Sequence, residues 1–161
     1  HVVERRPGGS VRPFVPWGGD ERQFCSPGFD LPVGSLTRTP HGRYVEYHTS
    51  ADDLALIGAE ALSDSLDALA EILDVLEGNV VLERLDPRGE PQLGRRGLYE
   101  TIGAGLPQQV EESRRALWVL NSVDGVASVL DVAERSGLPF EAVRQAAAVL
   151  VDAELVHARS G

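Results

Sequence analysis

The sequence predicts a partial α/β domain followed by a small winged-helix domain. Three observations carry this. The first fifty residues hold short β-prone pieces between Gly/Pro turns, and the hydrophobic period turns helical at Ser50. The last fifty-five residues then read as a helix, a tight helix-turn-helix and a strand.

In residues 1–50 the β-prone pieces are SVRPFV (10–15) and RYVEYH (43–48), separated by turns such as PGG, WGGD and SPGFDLPVG. Strands this short cannot bury a core alone and predict the edge of a larger sheet whose other strands lie elsewhere. From Ser50 onward, Leu54, Ile57, Ala61, Leu62, Leu66, Leu69, Ile72, Leu73 and Leu76 recur at helical spacing. Asp64, Asp67, Glu71 and Asp74 occupy much of the other face. One or two helices from Ser50 to Glu77 follow, with a break near Gly58, Ser50 and Asp53 as a capping box and Gly78-Asn79 as the stop. The acidic run reads as a solvated helix face.

Residues 79–86 (NVVLERLD) alternate as a strand and lead into a Gly/Pro-rich loop, PRGEPQLGRRGLYETIGAGLP, long enough to be functional or linking. The domain boundary is placed at its end, giving residues 1–106 and 107–161. Three helices follow, at 109–123, 128–136 and 139–153. Asp124-Gly125 and Ser136-Gly137 are the breaks, Ser128 is a cap, and Pro139 is preorganised for a first turn. The tail LVHARSG reads as a strand, leaving little room for a wing.

Composition narrows the function classes. With 42% hydrophobic and 25% charged residues the chain reads as soluble and globular, and no apolar run approaches the ~20 residues of a membrane helix. There is no secretory signal core and only one cysteine, Cys25, so a cytoplasmic location is expected, with no disulfide or Cys cluster. The chain lacks Met and opens on His1, which suggests a piece of a longer product. The net charge of -10 is concentrated in residues 51–86, where ten acids face Arg84 alone. Residues 107–161 carry a net -3. Phosphate binding needs clustered cations, so nucleic acid is not an expected partner, and neither is a membrane.

Two segments hold the residues suited to chemistry. In WGGDERQFCSPGF, Asp20 and Glu21 follow two glycines, Arg22 and Gln23 add polar reach, and Trp17, Phe24 and Phe29 are neighbours. In VEYHTSADDL, His48 ends a β-prone run just before a helix start, where an imidazole can project into a cleft. The plainer readings are a turn aspartate, a local Asp20–Arg22 ion pair, a hydrogen-bonded structural histidine and a small buried Cys25. Residue types alone favour these.

Three longer stretches, DERQFCSPGFDLPVGSLTRTPHGRYVEYHTSADDL, EPQLGRRGLYETIG and LWVLNSVDGVASVLDVAERSGLPFEAVRQAAAVLVDAELV, occur in that order. Together they resemble the DUF4910 family of aminopeptidase-like proteins, which are similar to M28-type zinc aminopeptidases and end in a winged helix. The resemblance implies that His48, in a Tyr47-His48-Thr49 motif before a helix, is the final zinc ligand. It implies that Asp20 shapes the active-site loop, with Glu21 standing where relatives often have His. Arg22, Gln23, Arg38 and Tyr47 are its candidate substrate contacts, since guanidinium forks suit oxyanions. The other metal ligands and the catalytic Glu are expected upstream, because no His-x-Asp or Glu-Glu pair lies in the first half of the chain. Arg95 and Arg96 in the LGRR loop read either as an anion-binding turn or as an interdomain strap.

The function implied is the C-terminal part of a zinc-dependent hydrolase acting on an amide bond of a small peptide or amino-acid conjugate. Its expected partners are the missing N-terminal portion of the same protein and such a substrate, with self-association into a homo-oligomer as a further option. The alternative is a non-catalytic winged-helix interaction module on a degenerate peptidase remnant.

Overall fold

The structure, a computed structural model, describes residues 1–98 and 107–159. Contacts divide the chain into two units, His1–Ile72 and Leu73–Gly161. The second begins well ahead of Pro107, because the strand that follows Asn79 pairs with the C-terminal strand and so joins the three last helices.

The first unit holds α1 (Val2–Arg5), α2 (Glu21–Phe24), a 3-10 turn at Leu54–Leu56 and the start of α3 (Ala59–Gly78). Its described residues form no strand: neither SVRPFV nor RYVEYH, read as strands from the sequence, pairs with another described segment. A strand exists only where a neighbour takes its N–H and C=O groups. Without one, residues 43–49 close on themselves, Tyr47 N donating to Tyr44 O (3.3 Å) and Thr49 N to Glu46 O (3.0 Å). The break before α3 falls at Ile57-Gly58, as read from the sequence. Asp53 rather than Ser50 provides the cap, its carboxylate accepting from Ala55 N at 2.8 Å.

The acidic face of α3 is not simply solvated. Arg6 donates to Asp64 (2.7 Å) and to Glu71 (3.1 Å), and Arg38 also donates to Asp64. Asp64 and Glu71 lie seven residues apart, two helical turns, so both present carboxylates along one line to the forked Arg6 side chain. These polar ties matter because the unit has almost no core. Among its described hydrophobic residues only Val2 and Ala68 are buried, while Leu62, Leu66 and Leu69 on α3 are exposed.

The second unit has the opposite character. Its chain order is the end of α3, β1 (Leu82–Arg84), a 3-10 turn (Leu93–Arg96), α4 (Pro107–Ser122), α5 (Val129–Ser136), α6 (Phe140–Asp152) and β2 (Val156–Ala158). β1 pairs antiparallel with β2, Leu82 opposite Ala158 and Arg84 opposite Val156, and Val81 bridges to Ser128. Helix α6 packs on both α4 and α5. Val119, Val129, Val132, Val143, Leu150, Leu82 and Val156 fill the space between helices and strands, each no more than 2% exposed. Burial of one such side chain contributes roughly 1.5–3 kcal/mol. No β-hairpin wing forms among the described residues, since β2 spends its pairing on β1.

Turn chemistry sets the helix ends. Ser128 caps α5 in a reciprocal capping box with Asp131, and Asn79 assists, its side-chain oxygen accepting from Leu130 N at 2.9 Å. Gly137 ends α5 in the left-handed conformation at φ 73°. Pro139 stands one position earlier than its expected place, as the residue before α6. Asp124 accepts from Val126 N and Ala127 N, both at 2.9 Å, which makes the 124–127 break a side-chain-closed turn and lowers the Asp124 pKa. Gly78 permits a close approach: a Cβ there would lie 3.0 Å from Arg144 Cδ and 3.3 Å from the Phe140 ring. The LGRR turn is anchored within the second unit. Leu93 is buried, and Arg96 donates to the carbonyl of Ala153 at the end of α6. No helix among the described residues is long and apolar enough to cross a membrane.

Removal of the α5 cap by Ser128→Ala should lower the unfolding free energy by about 1 kcal/mol. Denaturant unfolding followed by circular dichroism measures this, and a change within a few tenths would show that Asn79 alone suffices as cap. Asp131 is held below the usual carboxylate range by the Ser128 N–H and hydroxyl. Its contribution is therefore present above that range and lost as pH falls through its lowered pKa, and Asp131→Asn should flatten that acid limb.

Candidate functional site

All seven residues singled out for chemistry lie in the first unit, Asp20 to Gln23 at the start of α2, Arg38 on the segment that follows it, and Tyr47 and His48 in the 41–50 loop. The 17–33 loop is a local scaffold. Gly18 takes φ 154°, a conformation closed to residues with a Cβ, and the Glu21 carboxylate folds back over it into the space a Cβ would need. Asp20 is the residue before α2, and its carbonyl accepts from Gln23 N (2.9 Å) and Phe24 N (3.1 Å). The chain then reverses. Leu31 N donates to Phe24 O (3.0 Å), Cys25 Sγ donates to Val33 O (3.4 Å), and the Phe24 and Phe29 rings meet edge to face at 6.4 Å. The carboxylates of Asp20 and Glu21 and the side chains of Arg22 and Gln23 make no hydrogen bond or ion pair among the described residues, so the local Asp20–Arg22 pair does not form. These four polar groups remain available for a ligand.

The 41–50 loop presents His48. Tyr47 stacks on the His48 imidazole with ring centroids 3.9 Å apart and planes 15° apart. Tyr44 meets Tyr47 edge to face at 5.5 Å, and His41 lies 5.9 Å from it. Behind the histidine, Thr49 Oγ1 donates to Glu46 O (2.7 Å) and accepts from Ala51 N (3.2 Å), which fixes the turn toward the helical region. His48 itself has φ 59°, left-handed backbone that a residue with a Cβ adopts at a cost of roughly 1–2 kcal/mol. The imidazole is exposed, while Tyr44 is half-buried and its pKa is raised, first by burial and then by the charge of Asp52. The phenol is thus a neutral donor at ordinary pH.

Arg38, the candidate oxyanion contact, is engaged with α3 through Asp64 and through the carbonyl of Ala61 at 3.4 Å. Sequence reading missed this carboxylate as a partner, although its seven-residue spacing from Glu71 was visible. Tyr44 and His41 were missed as well, and their closeness in sequence to Tyr47 was the available signal. No hydrogen bond or ion pair joins Asp20 or Glu21 to His48 among the described residues, and no group of three or more His, Cys, Asp or Glu among them could hold a metal ion. A catalytic zinc takes about three protein ligands. His48 is one exposed imidazole, so these residues alone do not fit a zinc site.

A cavity of about 390 Å³ lies in the second unit between α4 and α6, lined in part by Leu98, Glu112, Arg115, Gln145 and Val149. It contains none of the residues discussed above. On α6, Arg144 is held by Glu141 through Nε (2.7 Å) and Nη2 (2.6 Å), and Gln145 donates to the same carboxylate at 2.8 Å.

Comparison with known proteins agrees with this division. Residues 1–79 match the family described as a domain of unknown function, DUF4910, and residues 79–158 match the winged helix-turn-helix family. Over 146 residues the chain is 45% identical to a Clostridium acetobutylicum protein provisionally named as a polysaccharide biosynthesis protein with an aminopeptidase-like domain, covering 91% of this chain and 33% of that protein. A crystal structure of a provisionally assigned peptidase from the same organism superposes with a TM-score of 0.81 at 38% identity, covering 98% of this chain and 34% of that one. The chain spans about a third of the length of either relative.

Asp64 is held below the usual carboxylate range, first by its hydrogen bond from Arg38 and also by the charges of Arg38 and Arg6. The clamp is therefore intact above that range and released as pH falls through the lowered pKa. Amide exchange in residues 1–10 and 36–40, corrected for its intrinsic slowing at lower pH, should rise on acidification in the wild type. Asp64→Asn should already show the raised exchange at neutral pH; unchanged protection in that variant would mean that the two arginines do not hold these segments.

Proposed function

We propose that these 161 residues are the C-terminal part of a zinc-dependent aminopeptidase-like hydrolase that cleaves an amide bond in a small peptide or amino-acid conjugate. The observation that carries this reading is the 45% identity across 91% of the chain to a protein with an aminopeptidase-like domain. The exposed, stacked imidazole of His48 supports it chemically. In this reading His48 supplies one zinc ligand, and polypeptide outside these residues supplies the other ligands and the catalytic carboxylate. Bound zinc would polarise the scissile carbonyl.

The chain's own residues then do the holding and shaping. Tyr47 stacks against the His48 ring and fixes its plane, as an outer-shell group does for a ligating imidazole. Asp20 and Glu21 line the substrate side, and Arg22 and Gln23 reach toward polar groups of the substrate. Arg38 can turn from Asp64 to a substrate carboxylate, because a guanidinium forms comparable forks with either. Nucleic acid has no place in this reading, since the cation and amide at the start of α6 are both spent on Glu141.

Replacement of His48 by Ala in the full-length protein should sharply lower zinc content, read by stoichiometric metal assay with folding checked by circular dichroism. Equal zinc in both proteins would remove His48 as a ligand. The 161-residue chain should show no salt-sensitive duplex DNA binding at micromolar concentration; submicromolar binding would favour an interaction module instead.

A further inference from the structure

Helix α3 carries its largest apolar side chains on the face that the chain leaves uncovered. Leu62, Leu66, Leu69, Leu73 and Leu76 follow a 4-3-4-3 spacing along one stripe, and every one is exposed, between 47% and 68%. The adjacent stripe, Ala61, Ser65, Ala68, Ile72 and Val75, is the covered one, with Ala68 and Val75 buried. A helix that covers its small residues and exposes a continuous row of leucines is only half partnered, because a contiguous apolar strip of this kind marks an interaction surface.

We infer that this leucine stripe is the seat of the polypeptide that completes the aminopeptidase-like protein outside these 161 residues. The inference rests on the reading that the chain is part of that longer protein. Two observations select this occupant. Both relatives are about three times as long as the stretch this chain covers, so a large amount of polypeptide is available to cover the helix. Ser65 on one border of the stripe and Ser63 and Ala70 on the other are small and uncharged, with Glu77 beside its C-terminal end, which suits close approach of an apolar surface along most of its length. The near absence of a core in the first unit fits the same picture, for the missing apolar surface must come from another part of the protein.

Cysteine accessibility tests this without reference to zinc or hydrolysis, so failure of the hydrolase reading and failure of this one are distinguishable. In a Cys25→Ser background, Leu66→Cys and Leu73→Cys on the stripe and Asp67→Cys on the acidic face are labelled with a maleimide, both in this chain and in the full-length protein. The stripe cysteines should label about tenfold or more slowly in the full-length protein, with Asp67→Cys little changed. Amide exchange of the unmodified proteins is the parallel measurement, and residues 62–76 should gain protection in the longer form. Equal labelling and equal exchange in the two forms would overturn the inference. So would protection of 66 and 73 in the 161-residue chain that deepens with concentration, since a second copy would then be the occupant.

Discussion

The pairing of β1 with β2 is the contact on which the second unit of this protein depends. It joins residues 82–84 to residues 156–158, and everything between them is thereby enclosed in one closed loop of chain. Three helices can then share a core, because the strands supply the floor on which Val119, Val132 and Leu150 come to rest. The Val81–Ser128 bridge and the Asn79 side chain on Leu130 N tie the start of α5 to the same floor. Closing so long a loop costs only slightly more entropy than closing a short one. A three-residue ladder therefore suffices, provided that the enclosed helices bury their apolar faces.

The first unit shows what happens when such a floor is lacking. Its shape is maintained by local turns and by arginines reaching to carboxylates on α3. Exposed ion pairs contribute little individually, and geometry rather than energy is what they provide. The candidate chemistry sits on this part. A loop such as 41–50, held by its own hydrogen bonds and ring contacts, can present His48 without being buried, which suits a group that must meet other ligands.

The legible part of the fold was the part governed by local rules. Ser128, Asp124-Gly125, Gly137 and Gly78-Asn79 each punctuate the chain where their turn chemistry says they should, and the helices of the second unit lie close to their expected spans. Strands in the first fifty residues were not legible in the same sense. RYVEYH has the composition of a strand, yet pairing is a property of two segments, and no second segment is here. The candidate site was legible as residue types, and Tyr47 beside His48 as a motif, but the Tyr44 and His41 rings around them depend on the turn that replaced the strand. The attachment of Arg38 to Asp64 was invisible for a related reason: long side chains choose partners across distances that spacing does not encode.

The left-handed backbone at His48 places thermostability and chemistry in opposition. Glycine or asparagine would occupy that φ with less strain, so a population selected for heat resistance alone would drift away from histidine at this position. A population selected for turnover would retain it if the imidazole is used. The identity of residue 48 after laboratory evolution under each regime thus becomes a reporter of what the loop is for, and it reads the same whatever the substrate is.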